Sequence, residues 1–237
     1  MLLAFAIAVA GAAPSPSVVA DAAKPLRTVV FHASYNRREE LTIGHFSGGM
    51  GSGPGGQTTS TGDTGTITVD IYNVINGTVV AVVTERWNSQ SSPKISKGAI
   101  NEDGSLIGFP PEISAVTRAL LPFFGTKFSP PGTDLGQVGA TWRSDASPPD
   151  YSLDTSFTVK SITGELVTLA ESLTATSKSP NAPDTTMTGT VAYKPKVLAP
   201  VSGDFRMRAT KSDATSTDEI NTDIHFARAS DTIDSGG

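Results

Sequence analysis

Apolar and polar residues alternate along much of the second half of the chain. Leu153, Phe157 and Val159 share one phase, while serine, aspartate, threonine and lysine residues occupy the other. The same period of two runs through the segments 152–160, 187–193, 205–209 and 220–226. This period predicts strands with one apolar and one polar face, which is typical of an antiparallel sheet covered on one side.

The first half contains a hairpin signal. Asn76-Gly77 separates two strand-like segments, 65–75 and 78–87. This dipeptide favours a two-residue turn in which both residues have positive φ. The second segment is apolar on both faces from residue 79 to residue 83, which predicts a central strand.

Other local signals predict where strands begin and end. β-branched and aromatic residues predict a first strand over 27–34. The glycine-rich segment 44–62 has few apolar residues and predicts a loop. Glycine-containing pairs predict turns at Asp103-Gly104, Thr163-Gly164 and Ser202-Gly203.

One segment has the periodicity of a helix. Ile113, Val116 and Leu120 recur on one face of a helix near 111–121, and Pro111 suits its first turn. Pro122 ends the pattern. We expect this helix to cover the apolar face of the sheet.

Together these patterns predict a mainly β fold of the α+β type. We expect a curved antiparallel sheet, or half-barrel, of roughly eight to ten strands wrapped over one α-helix, in a single domain at 24–231. A closed barrel is the alternative. An outer-membrane barrel is disfavoured, because such barrels carry aromatic girdles and only 7% of the chain is aromatic. Residues 232–237 are predicted to form a disordered tail.

The start of the chain has the pattern of an export signal. Residues 1–10 are uncharged and apolar, and small residues follow, so 1–23 are predicted to be a signal peptide and linker. No lysine or arginine precedes the apolar run, and a buried N-terminal helix is the alternative. The chain has no cysteine, which excludes disulfides, thiolate metal sites and lipid attached through cysteine. We therefore expect a periplasmic or secreted protein with no transmembrane segment in its mature chain.

Charge argues against a nucleic-acid partner. The net charge is -5 and the pI is near 5.2, and lysine and arginine are scattered along the chain. Nucleic-acid binding proteins usually carry a clustered basic face. We expect no such partner.

A resemblance carried by three stretches adds to this picture. They are Leu-Leu-Pro-Phe-Phe at 120–124, Leu-Gly-Gln-Val-Gly-Ala-Thr-Trp at 135–142, and Gly-Thr-Val-Ala-Tyr at 189–193. In this order, behind a hairpin rich in valine and threonine, they resemble uncharacterised exported bacterial half-barrel proteins. The architecture of those proteins is similar to that of periplasmic lipoprotein carriers. The resemblance implies a half-barrel over a helix and an exported location, and it implies no catalytic set.

Short motifs known from enzymes occur in contexts that do not fit them. Residues 51–56 match G-x-G-x-x-G with no helix pattern after them, and 91–94 match S-x-x-K with a proline between serine and lysine. The three histidines, His32, His45 and His225, show no metal-ligand spacing. We predict a protein that is not an enzyme, without a resident metal or cofactor.

A single carboxylate breaks the alternation. Glu171 shares the phase of Val167, Leu169 and Leu173, which would place its carboxyl on the apolar face, where burial would raise its pKa. We favour instead a position at the rim, or a β-bulge that resets the phase.

An apolar cluster after the helix is the candidate ligand site. Its members are Leu120, Leu121, Phe123, Phe124, Phe128 and Trp142. A half-barrel has an open side, and we interpret the cluster as the mouth of a cavity for an apolar or acylated ligand. Packing of these side chains in a plain core is the alternative.

Three hypotheses about function follow. The first is a non-catalytic exported protein that holds an apolar or acylated ligand between sheet and helix. The second is a structural or adhesive envelope domain that binds a macromolecule through its Ser/Thr-rich sheet face. The third is a carboxylate-dependent hydrolase that uses Glu171.

Overall fold

The computed structural model describes residues 24–43, 55–110, 112–126, 135–144, 151–179, 182–212 and 216–233. The predicted signal peptide and linker, 1–23, and the last four residues of the predicted tail lie outside the described residues. Within the described part, the chain forms one 11-stranded sheet and one short α-helix.

The strands follow the chain in two groups. The first group is β1 (Arg27–Ile43), β2 (Gly55–Ile75), β3 (Thr78–Trp87), β4 (Lys94–Ile100) and β5 (Leu106–Ile107). The helix α1 (Ala115–Leu120) and a 3₁₀ helix (Leu121–Phe124) come next. The second group is β6 (Thr141–Ser144), β7 (Tyr151–Thr163), β8 (Leu166–Ser177), β9 (Asp184–Lys194), β10 (Ala199–Ser212) and β11 (Ser216–Asp231).

The sheet is an open antiparallel sheet made of two meanders. Its strand order is β5-β4-β3-β2-β1-β11-β10-β9-β8-β7-β6. The first meander runs from the centre of the sheet to the edge strand β5, and the second runs from the other edge strand, β6, back to the centre. The helix lies in the connection between the two edges, and β1 pairs with β11.

The mainly β, antiparallel fold was predicted correctly, and the structure has more strands than expected. The edge strand β6 accounts for the difference, because its 4 residues show no repeated alternation and their pattern does not separate them from a loop. The other edge strand, β5, has 2 residues and forms the second arm of the hairpin predicted at Asp103-Gly104.

Most of the predicted turns are present. Asn76 and Gly77 have φ values of 50° and 83° between β2 and β3, as the hairpin prediction requires. Gly104 and Gly164 also have positive φ, between β4 and β5 and between β7 and β8.

Two predictions about glycine-rich sequence were wrong. Residues 55–62, expected in a loop, form the start of β2 and pair with β1 through the backbone. Their described side chains are exposed, so backbone pairing alone holds this part of the strand. Ser202-Gly203, expected in a turn, lies inside β10. A Cβ atom on Gly203 would lie 2.4 Å from Cζ of Phe226, so this glycine makes room for an aromatic ring across the strand pair.

The helix lies inside the predicted stretch 111–121 and begins later than its sequence pattern. Ser114 is the N-cap, and its side chain accepts a hydrogen bond from the backbone N–H of Thr117. Pro122 is in the 3₁₀ helix that continues α1, where its missing N–H breaks no bond.

The sheet bends around the helix. We call the face that packs against α1 the inner face and the opposite one the outer face. The rings of Phe123 and Phe157, the latter on β7, have centroids 6.4 Å apart. The rings of Phe124 and Phe31, the latter on β1, have centroids 6.2 Å apart. In a flat sheet these two strands would be five spacings, or about 24 Å, apart. Adjacent side chains reach both strands because the sheet curves towards them.

A buried ion pair joins the first strand to the last. Arg27 Nη2 lies 2.7 Å from Oδ2 of Asp231, whose side chain is fully buried. Arg228 also binds this carboxylate, and Nη1 of Arg27 donates a hydrogen bond to the backbone carbonyl of Val197. The Arg27 guanidinium lies 6.0 Å from the centre of the Phe124 ring, so the pair sits beside the helical segment.

Candidate functional site

The apolar cluster predicted as the ligand site lies in the hydrophobic core. Its described members are almost fully buried: Leu120 and Leu121 are 0% exposed, Phe123 1%, Phe124 2% and Trp142 6%. Phe128 lies outside the described residues. Trp142 stacks on Phe157 with 5.1 Å between ring centroids. These side chains therefore fill the space between the helical segment and the part of the inner face that it covers.

The inner face continues beyond this core. Ala175, Ala209 and Ile220 are buried there but do not belong to the core cluster. One row of direct cross-strand partners crosses this region from β1 to β7: Arg37, Thr222, Met207, Met187, Leu173 and Thr155. We call this row, together with Glu171 and Thr185 on its two sides, the inner patch.

The middle of the inner patch is apolar and partly accessible. Met207 pairs with Met187, and Met187 pairs with Leu173. All three side chains are only partly buried, although they point to the same side as the core. Methionine is unbranched and polarisable, so a surface of this kind adapts to apolar partners of different shape.

Polar atoms of the inner patch are buried without hydrogen bonds. Thr222 is 3% and Thr185 4% exposed, and the Oγ1 atom of each has no hydrogen-bond partner among the described residues. The same holds for Nε of Arg37, whose Nη2 binds Glu39 at 2.9 Å. Buried polar atoms are nearly always hydrogen-bonded in proteins, so three such atoms in one patch require an explanation.

Glu171 is the fourth polar group of the patch. It pairs with Phe157 on β7 and Gly189 on β9, is 8% exposed, and its Oε2 has no hydrogen-bond partner in the described structure. Burial raises the pKa of this carboxyl to about 8. The favoured interpretation, a rim position or a β-bulge that resets the phase, was wrong, because Glu171 is buried and β8 pairs with β9 without a register shift. At neutral pH its carboxyl is mainly un-ionised and can donate a hydrogen bond.

A second buried glutamate was missed in the sequence. Glu85 is 1% exposed, and its carboxylate accepts hydrogen bonds from the backbone N–H and hydroxyl of Ser114 and from the hydroxyl of Thr117. These contacts fix α1 to β3. The same reasoning as for Glu171 would have found it, because Glu85 shares the phase of Val83 and Trp87. The carboxylate of Glu85 therefore accepts hydrogen bonds from its neighbours, whereas Oε2 of Glu171 has no hydrogen-bond partner among the described residues.

The outer face carries a polar groove of about 890 Å³. Ser34, His225 and Asp204 are direct partners across β1, β11 and β10, and Nδ1 of His225 lies 2.6 Å from Oδ1 of Asp204. Arg206 binds Asp223 at 2.8 Å in the next row. These pairs are largely exposed, which limits their contribution to stability.

The other sequence motifs do not form a functional site among the described residues. His32 and His225 are exposed on the outer face, and His45 lies outside the described residues. Residues 51–54 are not described, and those from Gly55 onward form a strand, so a phosphate-binding helix does not follow the glycines. Lys94 begins β4, and the S-x-x-K match therefore does not lie on a helix.

The described residues contain no group of three or more histidine, aspartate or glutamate side chains arranged to hold a metal ion. No helix of the described chain is both long and apolar enough to cross a membrane.

Comparison of the chain with protein-family models, with curated proteins and with solved structures found no match.

Proposed function

We propose that the protein is a non-catalytic, exported binding protein that holds an apolar or acylated ligand in the inner patch of a half-barrel. The observation that carries this proposal is the inner patch itself, where partly accessible apolar side chains lie among buried polar atoms without hydrogen-bond partners. Ligand sites are typically apolar walls with a few polar groups that fix orientation.

The proposed ligand lies beside the helix, not beneath it. The predicted cluster around Phe123 and Trp142 is already packed, so a ligand there would have to displace core side chains. In the inner patch, Met187, Met207 and Leu173 keep accessible surface. The aromatic cluster then serves as the rigid wall against which the ligand site is built.

The polar atoms of the inner patch orient the proposed ligand. Arg37 Nε and Thr222 Oγ1 lie at the β1 and β11 end of the row, and Glu171 lies on β8, three strand spacings from β11. This is about 14 Å along the sheet. A ligand with an apolar body and a polar group is therefore favoured over a pure hydrocarbon.

The compartment is part of the proposal. The predicted signal peptide at 1–23 supports export to the periplasm or the exterior, and the absence of cysteine excludes an anchor attached through that residue. Apolar ligands need a carrier in such aqueous compartments, because their transfer into water is unfavourable.

Binding of a fluorescent acyl ester to the purified protein, followed by fluorescence anisotropy, tests the proposal. Met187→Trp should fill the inner patch and abolish binding. Thr186→Trp is the matched control, because residue 186 is the adjacent position of β9 and is exposed on the other face. Equal binding by the two variants, or no binding by the wild type, would refute the proposal.

The outer groove supports a second candidate function, a structural or adhesive domain that binds a macromolecule. Its lining of serine, threonine and paired charges could match a polysaccharide. Thr190→Trp, inside the groove, should then abolish retention of envelope polysaccharide, and Thr186→Trp, outside it, should not.

The third hypothesis, a carboxylate-dependent hydrolase, rests on Glu171 alone and stays a prediction. An unchanged rate of substrate hydrolysis in Glu171→Gln would refute it.

A further inference from the structure

We infer that the inner patch selects neutral acyl esters or amides, because the un-ionised carboxyl of Glu171 donates a hydrogen bond to the ligand carbonyl. This inference rests on the proposed function and adds the chemical class of the ligand. It assigns to Glu171 the role of a binding residue, with no bond made or broken in the ligand.

The position of Glu171 supports this role. The residue lies where the packed core ends and the inner patch begins, between Phe157 and Gly189. The ring of Phe205 on β10 fills the space above Gly189, where a Cβ atom would lie 2.4 Å from Cδ1 of Phe205, and Leu173, two residues along β8, opens the apolar row. Oε2 of Glu171 is buried, so a rotation of the side chain towards Leu173 would bring the carboxyl to a ligand carbonyl while the apolar chain lies over Leu173 and Met187.

Among the described residues, no charged side chain faces Glu171 from the neighbouring strands. The nearest inner-face positions on β7 are Thr155 and Phe157, and those on β9 are Met187 and Gly189. The nearest titratable group on that face of β9 is Tyr193, whose pKa burial raises further, so it stays un-ionised. Arg37 lies on β1, four strands away.

These surroundings distinguish three kinds of apolar ligand. An ester or amide carbonyl accepts the proton of the neutral acid in a hydrogen bond. A fatty-acid carboxylate would bring a negative charge into the same desolvated space, which is costly without a cation. An alkylamine would instead require Glu171 to ionise, because an ammonium group has donors only.

Glu171 also makes ligand affinity depend on pH. Burial places the pKa of the carboxyl at about 8, so the donor is present at neutral pH and lost in alkali. An ionised Glu171 would face the lone pairs of the carbonyl and repel them. Ester affinity should therefore fall as the pH rises through this range.

Titration calorimetry with three probes of equal chain length tests the inference: monomyristoylglycerol, myristate and tetradecylamine. We expect the ester to bind the wild type most tightly and to lose about tenfold in affinity between about pH 6.5 and 9.5. Glu171→Gln keeps an N–H donor and should bind the ester equally at both pH values. Glu171→Leu should bind it about tenfold more weakly at the lower pH. Glu165→Gln, at an exposed position, is the control and should behave as wild type.

The outcomes separate this inference from the function on which it rests. Tighter binding of the amine than of the ester, or equal ester affinity in the wild type and Glu171→Leu, would overturn the ligand class and leave the binding function standing. Failure of all three probes to bind the wild type would overturn both.

Discussion

Arg27 and Asp231 are 204 positions apart in the chain, and the arginine donates two hydrogen bonds to the aspartate, from Nε at 3.1 Å and from Nη2 at 2.7 Å. This bidentate contact joins β1 to β11 at the centre of the sheet, where the first and last strands pair. Both side chains are at least nine-tenths buried, so neither charge can be satisfied by water if the other is removed.

Asp231→Asn should therefore destabilise the protein strongly. Removing one partner of a buried ion pair leaves the other charge uncompensated, at a cost of about 3 to 5 kcal/mol. Urea unfolding followed by circular dichroism measures the change. Asp223→Asn removes the charge from the exposed pair with Arg206 and should change the stability far less, because water screens that pair. Equal effects of the two substitutions would contradict the distinction.

Glu171 should make the protein less stable as the pH rises. The unfolded chain ionises this carboxyl at its ordinary pKa of 4.5, whereas the folded protein keeps the proton until about 8. Between these values the folded state binds more protons, so the free energy of unfolding falls with increasing pH, and the fall ends above about pH 8. Unfolding curves measured across this pH range should show that the free energy of unfolding falls with pH in the wild type and no longer falls in Glu171→Gln. If the fall persists in that variant, another titratable group causes it.

Glu85→Ala should loosen the attachment of the helix to the sheet. The substitution leaves the backbone N–H of Ser114 and the hydroxyl of Thr117 without their acceptor, and about 2 to 4 kcal/mol of stability should be lost. Ser114→Ala removes only the helix cap and one donor and should cost about 1 kcal/mol. Urea unfolding of both variants gives the comparison, and the reverse order would show that the cap dominates.

Gly203→Ala should destabilise the bend of the sheet. A Cβ atom at this position would lie 2.4 Å from Phe226 and 2.8 Å from Phe205, and overpacking of this kind costs about 1 to 3 kcal/mol. Gly56→Ala is the matched control in a strand, because its Cβ would meet only the carbonyl of Leu41, at 3.7 Å. The midpoint of thermal unfolding should fall in the first variant and stay nearly unchanged in the second.

Much of the fold could be predicted because it depends on local pattern. The alternation around Phe157 and the Asn76-Gly77 turn each reflect one strand or one pair of neighbouring strands. Glu171 was singled out in the same way, since its phase is visible within seven residues of sequence. What these features share is that the sequence near them contains the whole signal.

The features that were not predicted depend on residues far apart in the chain. Nothing near Arg27 indicates that Asp231 is its partner, and nothing near Ser202-Gly203 shows that Phe226 lies across the strand pair. The inner patch has the same origin, because Arg37 and Leu173 become part of one row only through four strand pairings. The sequence contains each residue, and only the strand order shows that they share one surface.

The pairing of β1 with β11 also sets the order of events when the protein is made. Until β11 has emerged from the ribosome, one side of β1 has no partner, and the sheet stays divided into two halves. Contacts between such distant segments form slowly, because a long loop must close first. The central strand pair is therefore among the last contacts to form during synthesis.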